Sequence, residues 1–121
     1  FLLRKEDGGL HHASSGTFID IAGRTRHLVS DDFKVAVLDT WKSRESKARY
    51  PARWRIEIAA LSMDLTLRSN LPDQEMRTSK STDVIYWEGS VSISGTNSGQ
   101  PIVGQGYVEL TGYAKPFDVS M

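Results

Sequence analysis

The 121-residue chain predicts an all-β domain of antiparallel strands closed into a barrel. Three observations predict this. Apolar and polar side chains alternate with a period of two through most of the chain, which buries one face of a sheet and wets the other. Breaks rich in Gly, Asn, Asp and Pro recur at hairpin spacing, giving about eight to nine short strands. Some strands carry substantial side chains on both faces, which suits a barrel wall better than a sandwich.

The elements follow in order. Phe1-Leu2-Leu3-Arg4 reads as strand from the first residue, and Asp7-Gly8-Gly9 as the turn after it. Because strand begins at residue 1, which is Phe and not Met, the chain reads as a single domain, 1–121, of a parent that continues upstream. Ala22-Gly23 marks a further turn. Phe33, Val35, Val37, Asp39 and Trp41 share one face of a strand, with Lys34, Ala36, Leu38 and Thr40 on the other. Residues 43–49 suit a helical turn that Tyr50-Pro51 stops, since Pro disfavours helix in the residue before it. Trp54, Ile56 and Ile58 alternate with Arg55 and Glu57; Leu61, Met63, Leu65 and Leu67 alternate with Ser62, Asp64, Thr66 and Arg68. Asn70-Leu71-Pro72-Asp73 is a turn, and the polar stretch 72–83 is either a long hairpin around Gln74–Arg77 or a loop. Trp87 faces one way, Tyr86 and Glu88 the other; Val91 and Ile93 alternate with serines. After a turn over Gly95–Gly99, Val108 and Leu110 face one way while Tyr107, Glu109, Thr111 and Tyr113 face the other.

Bulk properties exclude several classes. Fifteen basic and fifteen acidic side chains balance, so no strong field draws nucleic acid. No apolar run approaches the roughly 20 residues of a membrane-spanning helix. The absence of cysteine excludes disulfides, thiolate zinc sites and a cysteine nucleophile. Ser43, Ser90 and Ser92 lack a Gly-x-Ser-x-Gly setting. Gly104-Gln105-Gly106 lacks the third Gly of a dinucleotide loop; its glycines suit a bend, a bulge or a close approach of strands.

The last third is the most distinctive stretch. Tyr86-Trp87-Glu88-Gly89 leads into Gly104-Gln105-Gly106-Tyr107-Val108-Glu109-Leu110-Thr111-Gly112-Tyr113. Upstream stand Trp41-Lys42-Ser43 and Tyr50-Pro51-Ala52-Arg53-Trp54. Together with the opening Phe1–Arg4 and Asp7-Gly8, these resemble the AttH and hydroxyneurosporene synthase (carotenoid 1,2-hydratase) family, in its C-terminal half. The resemblance spans nearly the whole chain and implies a lipocalin-like barrel, one of two side by side in the parent. It also implies acid-catalysed hydration of an isoprenoid double bond as a chemistry of the parent, with the upstream lipocalin-like domain as partner and the principal catalytic groups upstream. The family includes exported bacterial proteins, so a periplasmic or secreted parent is the corresponding expectation.

Glu88 and Glu109 are the candidate catalytic residues. If their strands pair as a hairpin, the two carboxylates approach on one face, and close carboxylates keep one acid protonated near neutral pH. The alternative is structural neutralisation, for instance by Arg55 or Arg68. Trp41, Trp54, Tyr86, Trp87, Tyr107 and Tyr113 are the candidate ligand-binding residues, because aromatic side chains combine apolar area with a polar tip. Their alternative is core packing. His11, His12 and His27 lack a third ligand at metal spacing, so neither a metal nor another cofactor is expected. The basic residues Arg44, Lys47, Arg49, Arg53 and Arg55 suit either an anionic ligand or a solvated loop.

Three functions remain. The chain forms part of a hydrophobic small-molecule site, for an isoprenoid- or lipid-like ligand; or it contributes a Glu to hydration or isomerisation; or it supports a catalytic partner domain. A strand edge left free would allow pairing with a second copy.

Overall fold

The long alternating runs find one another in a single sheet. In the computed structural model, which describes residues 1–78 and 84–114, eight strands form. β1 (Ser15–Ile19) and β2 (Thr25–Val29) make a separate two-stranded hairpin. β3 (Lys34–Lys42), β4 (Arg49–Ile58), β5 (Met63–Ser69), β6 (Glu75–Arg77), β7 (Ile85–Asn97) and β8 (Gln100–Leu110) form a six-stranded antiparallel sheet. β5 and β6 lie end to end along one edge of β7, and β8 covers the other.

The fold is all-β and antiparallel, but the barrel is not closed: β3 and β8 end the sheet. The first ten residues supply no full strand there. Only Arg4 and Leu10 bridge, because the chain folds back on itself through Gly8, with the Lys5 N–H donating to the Gly9 carbonyl at 2.7 Å. Phe1 and Leu3 are tied instead to Ser15 and to the buried Ser14 hydroxyl.

Alternation puts Val35, Val37, Trp54, Ile56, Leu67, Val91, Val108 and Leu110 on the inner face. Directly opposed residues share a face, and the register pairs Val35 with Ile56, Val37 and Leu67 with Trp54, and Trp87 with Leu110. Two apolar clusters result. One joins Ala48, Tyr50, Trp54, Trp87, Val91 and Leu110; the other joins Leu28, Phe33 and Ile58 under the β1–β2 hairpin.

Several local expectations change. Residues 43–49 form a tight turn, not a helix, closed by the Ser43 N–H donating to the Ala48 carbonyl at 2.8 Å. Pro51 does not stop an element; it lies inside β4, before the β5 ladder begins at Arg53 and next to a bulge in β3, where its missing N–H is tolerated. The turn within Gly95–Gly99 narrows to Ser98-Gly99, both at positive φ, the two-residue link that matches strand twist. Gly95 itself lies within β7, where a Cβ would collide with the Asp64 carbonyl oxygen. Gln74–Arg77 supplies β6; the rest of that hairpin expectation, residues 79–83, lies outside the described residues. His11 and His12 lie outside the strands, at a turn, with their rings stacked at 4.2 Å.

Candidate functional site: an apolar seam beside a buried carboxylate

The open seam between β3 and β8 is a cleft of about 370 Å³. Val35 and Val37 line it from β3, Val108 and Leu110 from β8, and Trp54, Ile56 and Leu67 form its floor. The N-terminal segment closes one side with Phe1, Leu2, Arg4 and Leu10. The rim is greasy: Phe1 is 78% exposed and Val37 52%. An aqueous surface holds such groups apart only at a cost in hydration, so the cleft favours an apolar occupant.

Tyr113 forms the end wall of the cleft. It does not continue the outward face of β8, as alternation predicts, because the strand ends at Leu110 and Gly112 turns the chain at φ 79°. The ring then packs 5.7 Å from Tyr50, and the Arg4 guanidinium lies 3.6 Å over it. Burial raises the Tyr113 hydroxyl above the usual phenol value, against the opposing charge of Arg4.

The other sequence-singled aromatics take different places. Trp54 is in the cleft floor. Trp87 is 1% exposed and donates its indole N–H to the Pro72 carbonyl at 2.8 Å. Trp41 stacks on Tyr50 with ring centroids 6.1 Å apart. Tyr86 and Tyr107 lie on the face opposite Trp87 and Leu110, and Tyr107 borders the cleft at its β8 rim.

Glu88 and Glu109 are directly opposed in the β7–β8 register. They therefore share a face, the one opposite Trp87 and Leu110, and Glu109 reaches the cleft only at its rim. Neither carboxylate has an ion-pair partner among the described residues. Arg55 is held by Asp64 at 2.7 Å and by Glu57 at 3.2 Å. Local desolvation, then the neighbouring Glu88 charge, raises the Tyr107 hydroxyl above its ordinary value.

A third carboxylate, Glu75, escapes a reading of sequence alone. Its side chain is wholly buried and collects four donors. The Ser43 hydroxyl donates to Oε1 at 2.7 Å, and the Arg77 guanidinium to the same atom at 2.9 Å. The Ser46 and Tyr50 hydroxyls donate to Oε2 at 2.6 and 2.8 Å. Burial pushes the Glu75 carboxyl up, but the hydroxyls of Ser46, Ser43 and Tyr50, with Arg77, outweigh it and hold it below its ordinary value. Tyr50 is pushed well above the phenol range, first by burial and then by the Glu75 carboxylate it donates to. Ser43 and Tyr50 belong to the Trp41-x-Ser43 and Tyr50-Pro51 elements visible in the sequence, but their acceptor lies 32 residues beyond Ser43, in a stretch with no periodicity.

Among the described residues, no three His, Asp or Glu side chains gather as a metal would need, and no helix is long and apolar enough to cross a membrane.

The AttH-like family model matches residues 1–113. The chain belongs to the AttH-like family. The structure of a candidate AttH from Nitrosomonas europaea superposes on this AttH-like domain with a TM-score of 0.78, at 31% identity over 94% of the chain. Kievitone hydratase from Nectria haematococca superposes with a TM-score of 0.71 at 21% identity over 98% of it, a likeness of fold. The domain spans 33% and 35% of these two chains. No curated protein matches it. The expected lipocalin-like architecture is thus the architecture of this AttH-like domain, with its seam open.

Proposed function

We propose that this AttH-like domain forms one wall of a hydrophobic small-molecule site, for an isoprenoid- or lipid-like ligand, in a larger protein whose second lipocalin-like domain covers the seam. The observation that carries this reading is the cleft, whose floor and rim are apolar and whose rim side chains stay exposed. An apolar ligand there buries surface that the domain by itself leaves in water. The hydratase among its structural neighbours supports a hydratase as the parent, with an isomerase as the related alternative. Hydration of the carotenoid type is the finer form of that proposal.

Titrating the protein with farnesol while following tryptophan fluorescence tests it, since Trp54 lies in the cleft floor. A saturable change is the expected result; a featureless titration rejects the reading.

One observation favours a second reading, in which this half contributes an acid to the reaction. Glu88 and Glu109 stand opposite each other without ion-pair partners among the described residues, and one of them borders the cleft. Replacing each by Gln in the parent enzyme then abolishes alkene hydration, whereas unchanged turnover returns this half to a binding role.

A further inference from the structure

The cleft is apolar but not featureless. Among the described residues Arg4 is the one basic side chain that lines it. Its guanidinium is held from two directions. The Tyr113 ring lies beneath it at 3.6 Å, and one Nη donates to the Gly112 carbonyl at a long 3.4 Å. A guanidinium carries five donor hydrogens, so most of its capacity is unused by these contacts. No carboxylate of the described residues pairs with it. Lys5, the next residue, is already paired with Asp7 at 3.7 Å. The one acidic side chain of the described lining is Glu109, which sits opposite Glu88 on the outward face of β8 and makes no ion pair with Arg4.

A cation fixed against an aromatic ring, at one end of a greasy cleft, matches a particular kind of molecule. The planar fork accepts the two oxygens of a carboxylate in parallel, and stacking has already fixed its orientation, so little side-chain freedom is lost on binding. We propose that the cleft takes an amphipathic carboxylic acid, with its hydrocarbon tail along Val35, Val37, Ile56 and Leu67 and its carboxylate on Arg4. This rests on the binding reading above and narrows it from hydrophobic molecules in general to anionic ones. The tail gains from burial, while the head avoids the desolvation that an unpaired charge would suffer in the same place. A neutral alcohol with the same tail keeps the first contribution and lacks the second.

The test displaces Nile red, a neutral dye, from the protein with farnesoic acid and with farnesol at pH 8. The acid is expected to bind roughly fivefold tighter, the scale of one partly exposed charge-assisted pair. Arg4→Gln is expected to bring the affinity for the acid down to that for the alcohol, with the far-UV circular dichroism spectrum of the variant showing that it is folded. Arg4→Lys keeps the charge, loses the fork and recovers part of the preference. Equal binding of acid and alcohol by the unaltered protein overturns this inference and leaves the apolar site standing. A preference that survives in Arg4→Gln overturns the assignment to Arg4. Failure of both ligands to displace the dye overturns the two readings together.

Discussion

The two ends of the inner face solve opposite problems. Around Glu75 a charge is taken fully out of water, and every oxygen is supplied with donors from three separate elements: the 43–49 turn, β4 and β6. Along the seam between β3 and β8 the only charged side chains of the described lining are Arg4 at one end and Glu109 at the β8 rim, and apolar side chains that could pack remain in contact with solvent. The first region is closed by its own chemistry. The second is left unfinished by it. Structure resides in the satisfied end and the proposed binding in the unsatisfied one, and the two are separable by substitution.

The largest effect is expected at the closed end. Glu75→Ala leaves the hydroxyls of Ser43, Ser46 and Tyr50 without their acceptor in a part-buried site and frees the exposed Arg77, which costs about 3 kcal/mol. Urea denaturation measures it. Tyr50→Phe removes one donor of four and costs about 1–2 kcal/mol. A Glu75→Ala variant as stable as the unaltered protein would mean that the carboxylate is dispensable, and the contrast between the two ends would collapse.

The same carboxylate sets a pH dependence. Its folded pKa lies below its ordinary value of 4.5. A carboxyl depressed in this way contributes stability that is fully present above the ordinary value and is lost as pH falls through the folded one. Unfolding midpoints measured from pH 7 downward should therefore hold until about pH 4.5 and then fall. The decline should be shallower in Glu75→Gln, whose amide does not titrate. Parallel curves would assign the acid sensitivity to other groups, such as Asp64, which is also depressed, by its bond to Arg55.

At the open end the expectation reverses. Val37 is half-exposed on the rim, so Val37→Asp should change stability by less than about 1 kcal/mol. It places a charge where a hydrocarbon tail would lie, and farnesol affinity should fall roughly tenfold. Dye displacement and denaturation, run on the same sample, separate the two quantities. An equal loss of both would show that the rim is core after all.

The legibility of these regions in the sequence follows the same division. β3, β4, β5, β7 and β8 are readable because each is long enough for alternation to declare itself. The direct opposition of Glu88 and Glu109 is also readable, since both are equidistant from the Ser98-Gly99 turn. β6 is only three residues long, too short for any period, and it carries Glu75. A buried charge announces itself through partners distant in sequence, and no local pattern records them. Seam closure is similarly hidden: whether Phe1–Arg4 pairs along β3 or folds back at Gly8 depends on competition between two sets of backbone hydrogen bonds. Aromatic letters carry still less. Trp87 and Tyr107 both stand on long strands of one hairpin, yet one is 1% and the other 66% exposed. Tyr113 reaches the interior only because Gly112 takes a backbone angle that few other residues adopt.

The smallest expected effect bears most directly on the choice between binding and catalysis. Two like charges directly opposed across a hairpin repel, so Glu109→Gln should raise stability by about 0.5 kcal/mol or less. Added salt should erase the gain, because the pair is near the surface. Glu88→Gln should give a similar gain, and the double variant no more than either alone, since one substitution already removes the repulsion. Such non-additivity, read from urea midpoints at low salt, would establish that the two carboxylates sense each other, which an acid-sharing pair requires. Independent gains that simply add would mean that each carboxylate is solvated by itself. The Glu pair would then offer no acid to an alkene, and the proposed role would rest on the cleft alone.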